Sequence, residues 1–347
     1  KIGRYMEETS KLQVLKCPAC NAKLTYFFEF DKVITCPVCH NRMNSHVLQT
    51  VEAHMPLRYV SPTIDVDGFK HLMAQTLVDI DFVPCDVFQA IDAEEVFCIY
   101  LPMYLYEGTY QVAWSGNGAN QQQLHGNATG KMAYLYLAND RKGDLPKELR
   151  DFTTCLPYDA EALSSFEAGH IDATDSHILT ALSTITAEAV WKKWGSKLTD
   201  KLAKSMVHDQ IGNQKVRKLK ISPTVELTKL GEPLFVSFYF SYYTYNNRRY
   251  CFIADGQGKH LSYNNPIDKR ESSYVRNCKV LMLIVKWMWM LAVLVWAVYD
   301  YRLPMGYLVA WAICKVVVDR VLKLQIARRF KRSKETRQAD ADLFLGI

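Results

Sequence analysis

A stretch of nineteen mostly apolar residues, Val280 to Val298, limits this chain more than any other feature of its sequence. About twenty such residues in a helix cross the roughly 30 Å hydrocarbon core of a bilayer. A second run, Leu303 to Val318, follows Asp300, Tyr301 and Arg302, and its sixteen residues sit near the short limit for a span. Trp296, Tyr299, Tyr301 and Tyr307 flank the connecting turn, where interfacial aromatics belong. The pattern predicts a transmembrane helical hairpin over 276–320. Lys286 interrupts the first run and must snorkel, pair or face a partner, because a lysine at mid-bilayer is costly. Lys315, near the end of the second run, can snorkel.

Charge sets the orientation. From Arg320 onward eight Lys or Arg face three acids, which is +5 of the chain's net +6. The body before it is close to neutral. Basic residues beside an apolar run suit an anionic membrane surface, and Arg328, Arg329, Lys331 and Arg332 are the candidates for that contact. A solvated, fraying tail over 321–347 is the plainer reading of the same residues. Arg276 and Lys279 precede the first run and the basic cluster follows the second, so both termini are expected in the cytoplasm. The chain opens on Lys1 rather than Met, so further natural residues are expected ahead of it. The stretch to Val14 is too polar to be a signal peptide.

Four of the ten cysteines form two CxxC pairs, Cys17-Pro-Ala-Cys20 and Cys36-Pro-Val-Cys39, with fifteen residues between them. Two knuckles at that spacing deliver four thiolates to one tetrahedral zinc ion. They predict a ribbon over 1–50 holding one structural zinc through Cys17, Cys20, Cys36 and Cys39. Asn21 and His40 each follow a knuckle, where tolerance of positive φ is useful. His40 is also a substitute ligand. The other six cysteines are scattered and fit a reducing compartment better than a disulfide framework.

The body, 51–275, reads as α+β. A helix is expected over Val60–Ile80, started by Ser61-Pro62-Thr63. Phe97 to Tyr106 reads as a strand, Glu107-Gly108 as a turn, Thr109 to Trp114 and Lys131 to Ala138 as further strands, and Ser115 to Gly130 as a polar loop. Ile178–Trp194 and Lys197–Met206 look helical in pieces. Leu234 to Tyr245 is a strand turned by Asn246-Asn247 onto Arg249–Ala254, and Asp255 to Gly258 makes a second turn. Two aromatic hairpins with helical sequence between them raise a two-half body, with repeats at about 58–140 and 215–270.

Other motifs dissolve on inspection. Gly126 to Gly130-Lys131 has three residues between its glycines where a phosphate loop needs four. His170, Asp172, Asp175 and His177 gather hydrolase-type side chains without a nucleophile elbow. The chain is therefore expected to be no enzyme.

The order CPxC…CPxC, a short helix, Tyr100-Leu101-Pro102-Met103-Tyr104, Trp114-Ser115-Gly116, the turn Asp255-Gly256-Gln257-Gly258-Lys259 and two late apolar segments resembles bacterial zinc-ribbon membrane proteins of the YdjG type. That family is often labelled primosomal helicase-like because of its ribbon. This chain departs from it at Asn21 and His40, where the family often has Gly, and at Ala254-Asp255, where it often has Val-Asn. The resemblance implies a bacterial inner-membrane protein of envelope stress, with SPFH-type or PspA-type protein partners. The function expected is a zinc-ribbon membrane adaptor or scaffold on anionic lipid. The alternative is a membrane-tethered nucleic-acid-binding or transcription-linked factor, which the near-neutral body and the few basic residues on the knuckles disfavour.

Overall fold

The computed structural model describes residues 8–25, 33–44, 48–55, 58–60, 62–93, 95–118, 122–158, 163–165, 178–212, 214–298 and 305–346. Its strands are β1 (Glu8–Lys16), β2 (Lys23–Thr25), β3 (Val33–Thr35), β4 (Arg42–Asn44), β5 (Leu48–Met55), β6 (Arg58–Val60), β7 (Asp92–Ala93), β8 (Phe97–Asn117), β9 (Gln123–Leu137), β10 (Cys155–Pro157), β11 (Leu163–Ser165), β12 (Ile178–Ala181), β13 (Arg217–Tyr245), β14 (Arg248–Asp255) and β15 (Leu261–Tyr263). The helices are α1 (Val66–Asp79), α2 (Val87–Ala90), α3 (Lys147–Thr153), α4 (Ala187–Ile211), α5 (Lys269–Val298) and α6 (Met305–Leu345). Together they make a mixed α+β protein with two compact units.

The first unit takes Lys1–Val66, Glu95–Ser241 and Ile253–Ser262. Its spine is the antiparallel pair β8–β13, paired from Arg217↔Asn117 to Ser237↔Tyr100 with register shifts along the way. Strand β9 lies along the other edge of β8. The 21-residue β8 does not turn at Glu107-Gly108 as expected. Gly108 faces Met132 on β9 and Leu227 on β13, so hydrogen-bonding strands on both sides hold it straight. A Cβ at Gly108 would lie 2.3 Å from the Glu226 carbonyl oxygen, so this glycine serves close approach. The register slips beside it, between Leu227 and Lys229, and Lys229 there bridges Glu107 at 3.1 Å and the buried Glu232 at 3.4 Å.

The expected loop from Ser115 to Gly130 is likewise mostly strand, with β8 ending at Asn117 and β9 starting at Gln123. Its glycines sit opposite rings. Gly126 pairs with Trp114 and Gly130 with Tyr110, and a Cβ at either would lie 2.6 Å from the ring it faces. Aromatic cover of a cross-strand glycine restores the packing a missing side chain forfeits.

The sequence predicts two helical pieces with a break near Gly195, yet α4 runs unbroken for 25 residues. The Trp191 ring fills the space a Cβ at Gly195 would need, and the Thr199 hydroxyl donates to the Gly195 carbonyl at 2.8 Å. Ile178 to Ala181, expected as the start of that helix, is strand β12, parallel to β8. Val190, Leu198 and Val207 of α4 pack on Tyr106, Tyr110, Val112 and Tyr136 of the sheet. The Tyr104 and Tyr106 hydroxyls donate to the Ile185 and Ala187 carbonyls, at 3.0 and 2.6 Å, and so anchor the helix's entry. Thr186 caps it, accepting from the Ala189 N–H, and Gly212 closes it at φ +57°.

The second unit takes Asp67–Glu94, Tyr242–Phe252 and Tyr263–Ile347. Helix α1 starts at Val66, later than expected, because Arg58–Val60 is strand β6 and the Thr63 and Ile64 N–H groups donate to the Gly256 carbonyl. The tip of the β13–β14 hairpin turns through Asn246 (φ 50°) and Asn247 (φ 58°), the two positive values that a tight two-residue hairpin turn requires. Helix α6 continues for 41 residues. The basic stretch from residue 321 is therefore its second half, and between Gly306 and Gly346 it holds no glycine or proline to stop it. Arg337 near its end is buried. Its guanidinium donates to the Val83, Val78 and Ile80 carbonyls at 2.7, 2.8 and 3.1 Å. These lie at and just beyond the C-terminal turn of α1, where helical carbonyls lack partners of their own. Lys334 pairs with Asp79, Gln89 donates to Asp340, and Phe88 packs on Phe344. His170, Asp172, Asp175 and His177, the Asp300–Arg302 turn and Ser61 lie outside the described residues.

Candidate metal centre and apolar helix

Each CxxC folds as the same knuckle. In the first, the Cys17 N–H donates to the Ala22 carbonyl at 2.9 Å and the Asn21 N–H to the Cys17 carbonyl at 2.8 Å. In the second, the Cys36 N–H donates to the Asn41 carbonyl at 2.9 Å and the His40 N–H to the Cys36 carbonyl at 2.8 Å. Closing so tightly puts the residue after each second cysteine in the left-handed region, and Asn21 and His40 stand there at φ 61° and 58°. The hairpins β1–β2 and β3–β4 present the knuckles to each other.

The four thiol sulfurs all lie within 4.8 Å of one another. Cys17 to Cys39 and Cys20 to Cys36 are each 3.6 Å. A disulfide needs about 2.05 Å. A tetrahedron of sulfurs about 2.3 Å from a zinc ion has edges of about 3.8 Å, so the donor set fits such an ion. Cys17, Cys36, Ala22, Cys20 and Val38 make a small core around the site. Burial works to raise the Cys17 thiol, but the Cys20 and Ala19 N–H groups and the neighbouring thiols outweigh it and bring it to about 7. Burial pushes the Cys36 thiol up. Zinc takes thiolates, so protons must leave the four thiols as an ion binds, and metal uptake is coupled to proton release. His40 is not one of the gathered ligands; its ring packs edge-on against Phe97, with centroids 5.7 Å apart. The ribbon is continuous with the larger sheet, because β2 also pairs with β12 through Thr180↔Thr25 and Ala181↔Leu24.

Helix α5 supplies the second feature. Residues Lys269–Val295 are long and apolar enough to cross a membrane, and the most apolar window is almost wholly unburied. Trp287 is 56 % exposed and Leu294 61 %, and Val280, Leu281, Leu283, Ile284, Met288 and Leu291 of the same helix are exposed with them. Lys286 projects from this surface and is itself exposed. On α6, Arg328, Arg329, Lys331 and Arg332 are exposed. Arg329 lies over the Tyr274 ring, 4.6 Å from its centroid, and Lys331 pairs loosely with Glu335 at 3.7 Å. In sequence the buried Arg337 is one more charge in the basic run, since its carbonyl partners stand more than 250 residues earlier.

Compared with known protein families, with curated proteins and with solved structures, the chain matches none.

Proposed function

We propose that this chain is a membrane-anchored adaptor whose zinc ribbon is a structural docking module and whose α5 and α6 form a transmembrane hairpin. The observation that carries the reading is the pairing of a four-sulfur site, with no ligand position left for a substrate, with a helix whose apolar side chains are exposed along its length. Four thiolates around zinc stabilise a fold and offer no open site for catalysis, so the reading is non-enzymatic. Basic residues flank the apolar segments at Arg276 and Lys279 and again from Arg320, which keeps both flanks on the cytoplasmic side of a bacterial inner membrane. The resemblance to YdjG-type proteins makes an SPFH-type or PspA-type membrane protein the partner class.

The test is a native pull-down of the full chain in mild detergent, read by mass spectrometry and metal analysis. We expect one equivalent of zinc and an SPFH- or PspA-type protein as the main companion. Cys17→Ser should lose both the zinc and the companion while the chain stays in the membrane fraction. Purified, reduced protein with less than half an equivalent of zinc removes the structural-zinc reading, and enrichment of nucleic acid instead of protein replaces the adaptor with the transcription-linked alternative.

A further inference from the structure

An open crevice of about 380 Å³ runs along α5 where its polar N-terminal third meets its apolar remainder. Ser272, Arg276, Lys279, Val280 and Leu283 line it, spaced so that one face of the helix presents them all, and Phe82 closes the far wall. Along the axis the hydroxyl of Ser272 comes first, then the two cations and the exposed aliphatic pair Val280 and Leu283, with the buried Val275 forming the floor beside Ser272. From Ser272 to Leu283 the face extends about 16 Å at the helical rise of about 1.5 Å per residue. Arg276 and Lys279 are exposed, and among the described residues neither forms an ion pair. Immediately beyond them the exposed apolar surface begins, with Val280 48 % and Leu283 52 % exposed. Cations that stand unpaired at the foot of an apolar surface complement a ligand that is anionic at one end and apolar at the other.

Phe82 is a second observation at the same place. It holds φ +63°, a conformation that a bulky residue adopts only when its surroundings enforce it. Two contacts enforce it: the Phe82 carbonyl accepts from the Asp268 N–H at 2.7 Å, and its ring packs edge-on against Phe330 at 5.3 Å. The strained backbone thus places an aromatic wall beside Ser272 and the two cations.

We propose that this crevice binds one anionic glycerophospholipid. Arg276, Lys279 and the Ser272 hydroxyl hold its phosphate-bearing headgroup, while an acyl chain lies along Val280 and Leu283 against Phe82. The assignment rests on the membrane reading of α5, and it specifies a lipid where that reading requires only a bilayer. Two cations at one headgroup distinguish an anionic lipid from a zwitterionic one of equal chain length.

Native mass spectrometry of the full chain in detergent, doped with either phosphatidylglycerol or phosphatidylcholine of matched chains, tests it. One phosphatidylglycerol should bind roughly tenfold more tightly than phosphatidylcholine. Arg276→Gln with Lys279→Gln should abolish that preference, whereas Lys192→Gln with Lys204→Gln on α4, which removes equal charge, should leave it intact. Leu283→Asn should weaken both lipids, as loss of the acyl contact requires. Inorganic phosphate should compete no better than chloride at equal ionic strength. Equal binding of the two lipids, or a preference that survives the paired α5 substitutions, overturns the site, and displacement by phosphate alone reassigns it to a free anion. A chain that stays soluble without detergent and binds neither lipid refutes the membrane reading itself.

Discussion

Arg337 shows how much a single side chain can carry in this protein. It is buried with its charge, and its guanidinium serves three carbonyls that α1 cannot satisfy by itself. Burial lowers its proton affinity and Glu271 and the nearby acids Asp81 and Asp79 only partly oppose this, but a guanidinium is basic enough to stay a cation at any ordinary pH. Arg337→Ala leaves those acceptors buried and bare, which costs roughly 2–4 kcal/mol locally. Hydrogen exchange should then quicken in residues 76–90 and 330–345 while α4 and β8 keep their protection; an unchanged pattern removes the capping role. Lys at this position should rescue only in part, because one ammonium cannot reproduce the forked geometry. Nothing in the sequence marks Arg337 out from the seven other basic residues around it, for its partners are remote in the chain. The cysteines are the opposite case. Their ligand geometry follows from spacing within 23 residues, and Asn21 and His40 could be read as left-handed positions for the same local reason.

At the scale of elements, what could be read from sequence were features closed by near neighbours. Asn246-Asn247 turns because two adjacent residues suffice to make that turn. Glu107-Gly108 has a similar composition and does not turn, and the difference is set by β13, over a hundred residues further on. The glycines of β9 suggested a loop because glycine is ordinarily a breaker, but here Trp114 and Tyr110 cover them from the neighbouring strand. The two kinds of glycine should respond differently to a methyl group. At Gly108 the obstacle is backbone, the Glu226 carbonyl at 2.3 Å, whereas at Gly126 it is the Trp114 side chain, which can shift. Gly108→Ala should therefore lower stability by roughly 2 kcal/mol or more and Gly126→Ala by clearly less, read as shifts in denaturant midpoint. Equal effects would mean that β8 and β13 yield as easily as a side chain.

Across the whole molecule, tyrosine is the residue that binds stability to pH. Burial, and then Asp86, which accepts its hydroxyl proton at 2.9 Å, push Tyr245 up to about 12. Burial pushes Tyr100, Tyr106, Tyr136 and Tyr243 higher still. An unfolded tyrosine ionises near about 10. A raised pKa in the folded state means that these groups contribute their full stability below about pH 10 and lose it as the pH climbs toward 12. Tyrosinate absorbance should accordingly rise together with loss of secondary structure in that window; tyrosines that titrate smoothly near 10 with the fold intact would contradict the burial. The helix cap on α1 has one more implication, and it concerns time. Arg337 follows Val78 by 259 positions. At roughly 5–20 residues per second, a ribosome needs on the order of 13–50 s to reach it after α1 is made. Until then those carbonyls have only water as partner, and a chain cut short before Arg337 never receives the cap. Closure of the second unit around α1 thus waits on a stretch of chain made long after the helix that it secures.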